Sequence, residues 1–269
     1  MERTLVDRLV RRNESPSAPE FPDILVYSSG RADCVARGVG RVLHHRGITG
    51  GARVRVTTAE SAHKPTLVQV NLCVRGVPTR VQAVISGLDD LPTALTRIDH
   101  QIVRVWAPWR PRPWPDRTRR PLTAPGDGEL IRRKDCVLQR IKPLEAVSVM
   151  DAMDYDVHLF SDAEAGEDAV VYRAGPSGLR LARQRRMYPP GWAWSPAAAT
   201  PPVPLVVNSR PIPALNEPAA VHRLREQSLS FLFFTDPATG RGRLLYARYD
   251  GGLGLITPVS ADGTGAGMS

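Results

Sequence analysis

At 269 residues the chain is long enough for two or three small domains, and Lys and Arg outnumber Asp and Glu by 36 to 27, a formal charge of +9. It holds no apolar run of about 18 residues and no apolar signal core at its N-terminus, so neither a membrane partner nor export is expected. Cys34, Cys73 and Cys136 are odd in number and lack metal-ligand spacing, which suits a reducing, cytoplasmic location and predicts no metal or other cofactor.

Residues 1–21 mix charge with Ser, Pro and Asn and read as a flexible lead-in. A short apolar run at 24–27 predicts a strand, and Ser28-Ser29-Gly30 offers capping chemistry for a helix marked by Val35, Val39, Val42 and Leu43, which stops at Arg46-Gly47. Three alternating stretches follow. Val54 and Val56 lie opposite Arg53 and Arg55; Val68, Val70, Leu72 and Val74 opposite Gln69 and Asn71; Val81, Ala83 and Ile85 opposite Arg80 and Gln82. Asp89-Asp90 opens a second helix with the apolar stripe Leu91, Leu95, Ile98, Ile102 and Val105, ending before Pro108. The fold class is α+β: a β-α-β-β-β-α domain over 22–107, a four-stranded sheet with both helices on one face and the other face polar.

Residues 108–129 are Pro- and Arg-rich and predict a stiff linker. Beyond it the chain repeats itself at an offset of 74: Phe160, Asp162, Gly166, Tyr172, Gly178, Leu179 and Leu181 return as Phe234, Asp236, Gly240, Tyr246, Gly252, Leu253 and Leu255. Fixed-period similarity marks a duplicated unit, here two small α+β domains at 130–182 and 204–258, joined by a connector at 183–203 and followed by a disordered tail at 259–269. In each copy a strand (130–134, 204–208), a helix (143–153, 217–227) and a three-stranded meander with glycine turns are expected. Units this small bury marginal cores alone, so the copies are expected to pair. Phe231-Leu232-Phe233-Phe234 is apolar on both faces and needs cover, for which 157–160 is the obvious candidate. Val157, Phe160, Tyr172, Phe231, Phe233, Phe234 and Tyr246 are the expected pairing residues, giving an internal pseudo-dimer.

The basic excess is concentrated: residues 31–120 hold 16 basic and 6 acidic side chains. Arg37, Arg41, His44 and His45 share one face of the first helix, and Arg97, His100 and Arg104 one face of the second, each turned away from the apolar stripe. Arg53, Arg55, Lys64, Arg75 and Arg80 add charge on the sheet and its edges, and Arg110 extends it into the linker. A merely solvated surface would not exclude acidic residues from these faces, so a polyanion, nucleic acid ahead of membrane, is the expected partner, and Arg suits folded RNA. The catalytic candidates read as structural. Gly38-Val39-Gly40 sits inside a helix, Asp89 and Asp90 stand at a helix start, and Asp162 recurs as Asp236 in a turn. The six histidines show no ligand spacing, no nucleophile has a base, and neither an enzyme nor a small-molecule substrate is expected.

Gly30-Arg31 before a helix, Asp89-Asp90 through Ala94-Leu95, Ile98-Asp99 and Gln101 to Arg104 resemble the N-terminal domain of ribosome hibernation-promoting factors. Ile131 to Lys134, Pro143 to Ala146, Asp156 to Phe160, Gly166, Val170 to Arg173 and Gly178-Leu179 resemble the C-terminal domain of the long form of that family. The resemblance implies a factor that occupies the decoding region of the small ribosomal subunit, contacting its rRNA and ribosomal proteins. Messenger and transfer RNA sites would be blocked and translation inhibited under hypoxic or dormant stress. It places Arg31, Arg37, Arg41, Arg97 and Arg104 on small-subunit rRNA, with Arg75 and Arg80 beside them. Ordinary long forms carry one C-terminal copy that joins two ribosomes. Two copies on one chain instead imply a monomer paired in cis and inactive monosomes, since a connector of about twenty residues holds the copies at an effective concentration of order mM. Three other readings share parts of this sequence: a general structured-RNA-binding regulator, a metal-dependent nuclease using Asp89 and Asp90, and a protein-interaction module.

Overall fold

A computed structural model describes residues 24–28, 32–57, 66–112, 114–116, 122–174, 178–190 and 205–260. They form three sheets and four α-helices, divided between a first unit, within Met1–Arg110 together with Ala152–Asp154, and a second, within Pro111–Asp151 and Tyr155–Ser269.

In the first unit the elements are β1 (Ile24–Ser28), α1 (Ala32–His45), β2 (Ala52–Thr57), β3 (Thr66–Val74), β4 (Val77–Ile85) and α2 (Leu91–Trp106). The sheet order is β1-β2-β3-β4, with β1 parallel to β2 and the other pairs antiparallel. A parallel pair needs a crossover, and α1 supplies it. Val54, Val56, Val68, Val70, Leu72, Val81, Ala83 and Ile85 face a core completed by Val35, Val39 and Leu43 of α1 and by Ala94, Ile98 and Ile102 of α2. Both helices therefore cover one sheet face, and strict alternation sends Arg53, Arg55, Asn71 and Arg80 to the other. Helix α1 closes at Gly47 (φ 64°), where the Ile48 N–H donates to the Leu43 carbonyl at 2.9 Å, a left-handed cap that glycine adopts without strain. Arg75 and Gly76, both at positive φ (49° and 82°), form the two-residue turn between β3 and β4, whose twist matches the strands.

The second unit comprises β5 (Leu130–Cys136), β6 (Arg140–Ile141), α3 (Pro143–Ala152), β7 (Val157–Asp162), β8 (Glu167–Tyr172), β9 (Leu179–Arg183), β10 (Leu205–Val207), α4 (Glu217–Glu226), β11 (Phe231–Thr235), β12 (Gly242–Ala247) and β13 (Leu253–Pro258). Its sheets run β10-β9-β8-β7-β6 and β11-β12-β13-β5. The leading strand of each repeat thus leaves its own meander and completes the sheet of the other. Val207 pairs with Leu181, and Arg133 pairs with Leu255 at the equivalent position, both in parallel register. The sequence pattern predicts a strand at the head of each copy without naming its neighbour, and the structure pairs it with the other copy. Periodicity fixes which face a strand buries but leaves its neighbour open. Physically, β9 and β13 would otherwise each present a row of unpaired backbone groups, and the exchanged strand covers it.

The repeated turns match residue for residue. Asp162 accepts from the Glu164 N–H at 2.8 Å and Asp236 from the Ala238 N–H at 3.2 Å, while Gly166 and Gly240 donate back to the two aspartate carbonyls at 2.7 and 2.8 Å. The last turn departs from expectation: Gly251 carries the positive φ (87°), and Gly252 lies buried beneath Ile131 of the exchanged strand.

His158 of β7 is enclosed between the rings of Tyr155 (6.2 Å) and Phe160 (6.3 Å), and its Nε2 is buried without a hydrogen-bond partner. Burial, with a smaller contribution from the Lys134 charge, lowers its pKa to about 4. An unfolded histidine titrates near 6.5, so between those values the unfolded chain binds a proton that the folded chain does not, and stability falls as the pH drops through that window. Acidification from pH 7 to 4 is expected to remove about 3 kcal/mol through this group. Urea unfolding at pH 7, 5.5 and 4 checks it: His158→Leu should lose this component of the slope, and an unchanged slope assigns the acid sensitivity elsewhere.

Candidate nucleic-acid interface

Helices α1 and α2 pack closely because Gly38 leaves room for Leu95; a Cβ there would lie 2.9 Å from the Leu95 Cδ1. Arg46, at the end of α1, donates from Nε and Nη2 to both carboxylate oxygens of Asp99 on α2, each at 2.6 Å. This charge-assisted fork ties the helices and holds the Asp99 carboxyl below its usual range. It also neutralises an acidic side chain that lies within electrostatic reach of His45 and His100. Arg37, Arg41, His45 and His100 are exposed and have no ion-pair or hydrogen-bond partner among the described residues. Arg104 is half-buried and donates to Gln101 at 3.3 Å, and Arg97 is likewise half-buried and engaged in polar contact.

The remaining arginines occupy a second field. Arg53 sits across from Asn71, which sits across from Arg80, and Arg55 across from Gln69 and then Gln82, whose side-chain amides bond at 2.9 Å. Arg53 and Arg55 are exposed, and Arg80 is half-buried. Arg75 stands at the tip of the β3–β4 turn with its guanidinium 5.1 Å over the Trp106 ring, an arrangement that stiffens the side chain while leaving its fork available. The alternation in the sequence puts Arg53, Arg55 and Arg80 on the polar face of the sheet and the helix cations beyond the covered face. The structure has the two sets on opposite sides of the sheet, because the register that buries Val54 turns Arg53 and Arg55 away from the helices. Arg110 is exposed in the extended chain after α2. Arg31 and Lys64 lie outside the described residues.

A segment expected to be linker proves to be anchored. Arg112 is 4% exposed; its backbone N–H approaches the Asp151 carboxylate at 3.4 Å, its guanidinium donates to the Asp151 carbonyl at 3.0 Å, and Arg173 donates to the Arg112 carbonyl at 3.1 Å while pairing with Asp151. Trp114 covers Gly178, and Ala124 is buried with Phe234 and Leu253. Pro and Arg composition hides these contacts, since an arginine is buried only when its partner is present.

Between the two repeats, Leu159, Val170, Ala182, Phe233 and Leu244 form one buried cluster, edged by Val157, Tyr172, Ile212, Phe231 and Ile256. The Tyr172 ring meets Phe231 edge-on at 5.1 Å, and its hydroxyl donates to Asn208 at 2.9 Å. Of the seven expected pairing residues, Val157, Tyr172, Phe231 and Phe233 lie in this cluster. Phe234 packs instead with Ala220 and Leu224 of α4, and Phe160, on the opposite strand face from Leu159, stacks on His158. Tyr246 lies over Gly254 of the adjacent strand. Leu159 falls within the 157–160 stretch expected to cover 231–234, whereas the sequence reading does not single out Val170 and Leu244 for pairing. That reading also misses a polar clasp. Asp168 accepts from Arg241 at 2.8 and 3.2 Å and from the Gly242 N–H at 2.8 Å, and Gln184 donates to Thr235 and to the Gly240 carbonyl, each at 3.0 Å.

Among the described residues no three His, Cys, Asp or Glu side chains gather where a metal could bind, and no helix is long and apolar enough to cross a membrane. The surface chemistry is that of guanidinium forks on two faces of a rigid sheet domain, suited to phosphate.

Residues 126–181 match the family described as Sigma 54 modulation/S30EA ribosomal protein C terminus. Two relatives, from two strains of Mycobacterium tuberculosis, each carry the name dormancy associated translation inhibitor. The chain is 62% identical to each over 268 residues, covering 97% of this chain and 98% of the relative.

Proposed function

The chain belongs to the family of dormancy-associated translation inhibitors carrying the S30EA ribosomal protein C-terminal domain, and from that premise we propose that it is a ribosome hibernation factor acting by occupancy. In this reading the first unit binds small-subunit rRNA in the decoding region and excludes messenger and transfer RNA. The second unit, its two repeats paired within one chain as a pseudo-dimer, leaves the ribosome as an inactive monosome. The observation that carries the reading is the set of exposed, partner-free basic side chains Arg37, Arg41, His45 and His100 on the outer faces of two helices locked together by Arg46 and Asp99. Exposed guanidinium groups on a rigid support bind phosphate without first breaking internal pairs.

Sucrose-gradient sedimentation of ribosomes mixed with the protein, alongside in vitro translation, tests it. Co-sedimentation with monosomes and loss of translation are expected. A shift of ribosomes into disomes would overturn the cis-pairing component, and protein remaining at the top of the gradient at moderate salt would overturn ribosome binding.

A further inference from the structure

The two repeats face each other across a local pseudo-twofold, so each interface position has a counterpart 74 residues away, and the counterparts differ systematically. Asp168 and Gly242 are such a pair, and they touch: the Gly242 N–H donates to the Asp168 carboxylate at 2.8 Å, and a Cβ on Gly242 would stand 2.8 Å from the Cβ of Asp168. In the cluster around them the first repeat supplies Val157, Leu159, Val170 and Ala182, and the second supplies the larger Phe231, Phe233, Leu244 and Ile256 at the equivalent positions. Arg241, which grips Asp168, has Glu167 as its counterpart.

We infer that this interface is coded for pairing of unlike repeats and excludes either repeat pairing with a second copy of itself. Two first repeats meeting in this geometry would bring Asp168 against Asp168 with Cβ atoms 2.8 Å apart, closer than side chains approach. They would also replace the arginine that neutralises each carboxylate with a further carboxylate, Glu167, and leave small side chains facing small ones across the core. Two second repeats would set Phe231, Phe233, Leu244 and Ile256 against themselves, overfilling the same space, with Arg241 facing no carboxylate. Only the unlike pair fills the volume and balances the charge. The device has both attractive and repulsive parts, as specificity between near-identical partners requires. It deepens the cis-pairing component of the proposed function, on which it rests, by naming the residues that keep the chain from joining its equals.

The test uses the free full-length protein without ribosomes, so its failure leaves ribosome binding untouched. Thermal midpoints are measured for the unmodified chain, Gly242→Ala, Asp168→Gly and the double variant. The Gly242 Cβ would also meet the Phe233 ring at 2.7 Å, but that conflict is common to both backgrounds and cancels in the cycle. Gly242→Ala is expected to lower the midpoint by roughly 5–10 °C when Asp168 is present and by less than about half of that when it is Gly. Equal losses in both backgrounds would overturn the inference. Sedimentation equilibrium of the unmodified protein, which does not depend on any variant folding, is expected to give a 29.5 kDa monomer, and self-association through these domains at micromolar concentration would also overturn it.

Discussion

Asp162→Ala is expected to destabilise the second unit by about 3–5 kcal/mol, a large part of the roughly 5–15 kcal/mol that holds a typical domain together. The partner is Arg183: both side chains are 0% exposed, and the Arg183 Nε donates to Asp162 at 2.6 Å. Arg183 is further held by the Tyr188 carbonyl at 2.6 Å and lies 5.1 Å from the centre of the Tyr188 ring, with Glu164 at 3.8 Å. None of these replaces a buried carboxylate. Removing Asp162 leaves a guanidinium charge in the protein interior and simultaneously strips the turn of the acceptor for the Glu164 and Ala165 N–H groups. Attraction within a buried pair only offsets desolvation, so Asp162→Asn combined with Arg183→Met should recover most of the loss that either single change causes. Urea midpoints of the unmodified protein, Asp162→Ala, Asp162→Asn, Arg183→Met and the double variant check both statements. The second repeat supplies a control. Asp236 occupies the same turn but pairs with Arg243 of the next strand at 2.6 Å, and that arginine is 19% exposed. Water can solvate what Asp236→Ala leaves behind, so its loss should be smaller, roughly 1–2 kcal/mol.

That contrast shows where sequence reading stops. The first unit follows from local chemistry. Valines alternate with arginines and glutamines on the strands, the stripe from Leu91 to Val105 has helical spacing, and Gly47 and Gly76 adopt conformations few other residues tolerate. The duplication is legible too, and with it the turn role of Asp162 and Asp236. What escapes is set by partners distant in sequence. The exchange of β5 and β10 needs knowledge of which edge is open; the burial of Arg112 and Arg183 needs knowledge of Asp151 and Asp162. The basic field is partly legible for the same reason. Helical spacing collects Arg37, Arg41 and His45 on one face, and strand alternation already turns Arg53 and Arg55 the other way, but neither shows which of the cations are left without an internal partner. Only the folded pair of helices shows that Arg46 is consumed by Asp99.

The distinction between free and consumed arginines makes a quantitative prediction for ribosome binding. Arg37→Ala with Arg41→Ala removes two exposed, unpartnered cations and should leave the thermal stability of the protein nearly unchanged, since neither side chain makes an interaction that folding relies on. Its ribosome affinity at near-physiological salt is expected to fall roughly 10- to 100-fold, and the slope of log affinity against log salt to become shallower by about 2, one for each phosphate no longer neutralised. Arg46→Ala should do the reverse. Its guanidinium is committed to Asp99, so the variant loses the tie between α1 and α2 while the salt slope changes little. The opposite face provides the decisive comparison. Arg53→Ala with Arg55→Ala also removes two exposed cations, so net charge falls equally in the two double variants. If affinity followed net charge alone, the two would weaken binding to the same extent. A docked helix face predicts a larger loss for Arg37 and Arg41, because direct phosphate contact releases counterions locally whereas a charge on the far side of the sheet acts only through a field screened within about 10 Å. Filter binding or sedimentation of ribosomes across a salt series separates these outcomes, and a larger loss for the Arg53 and Arg55 variant would move the interface to the sheet.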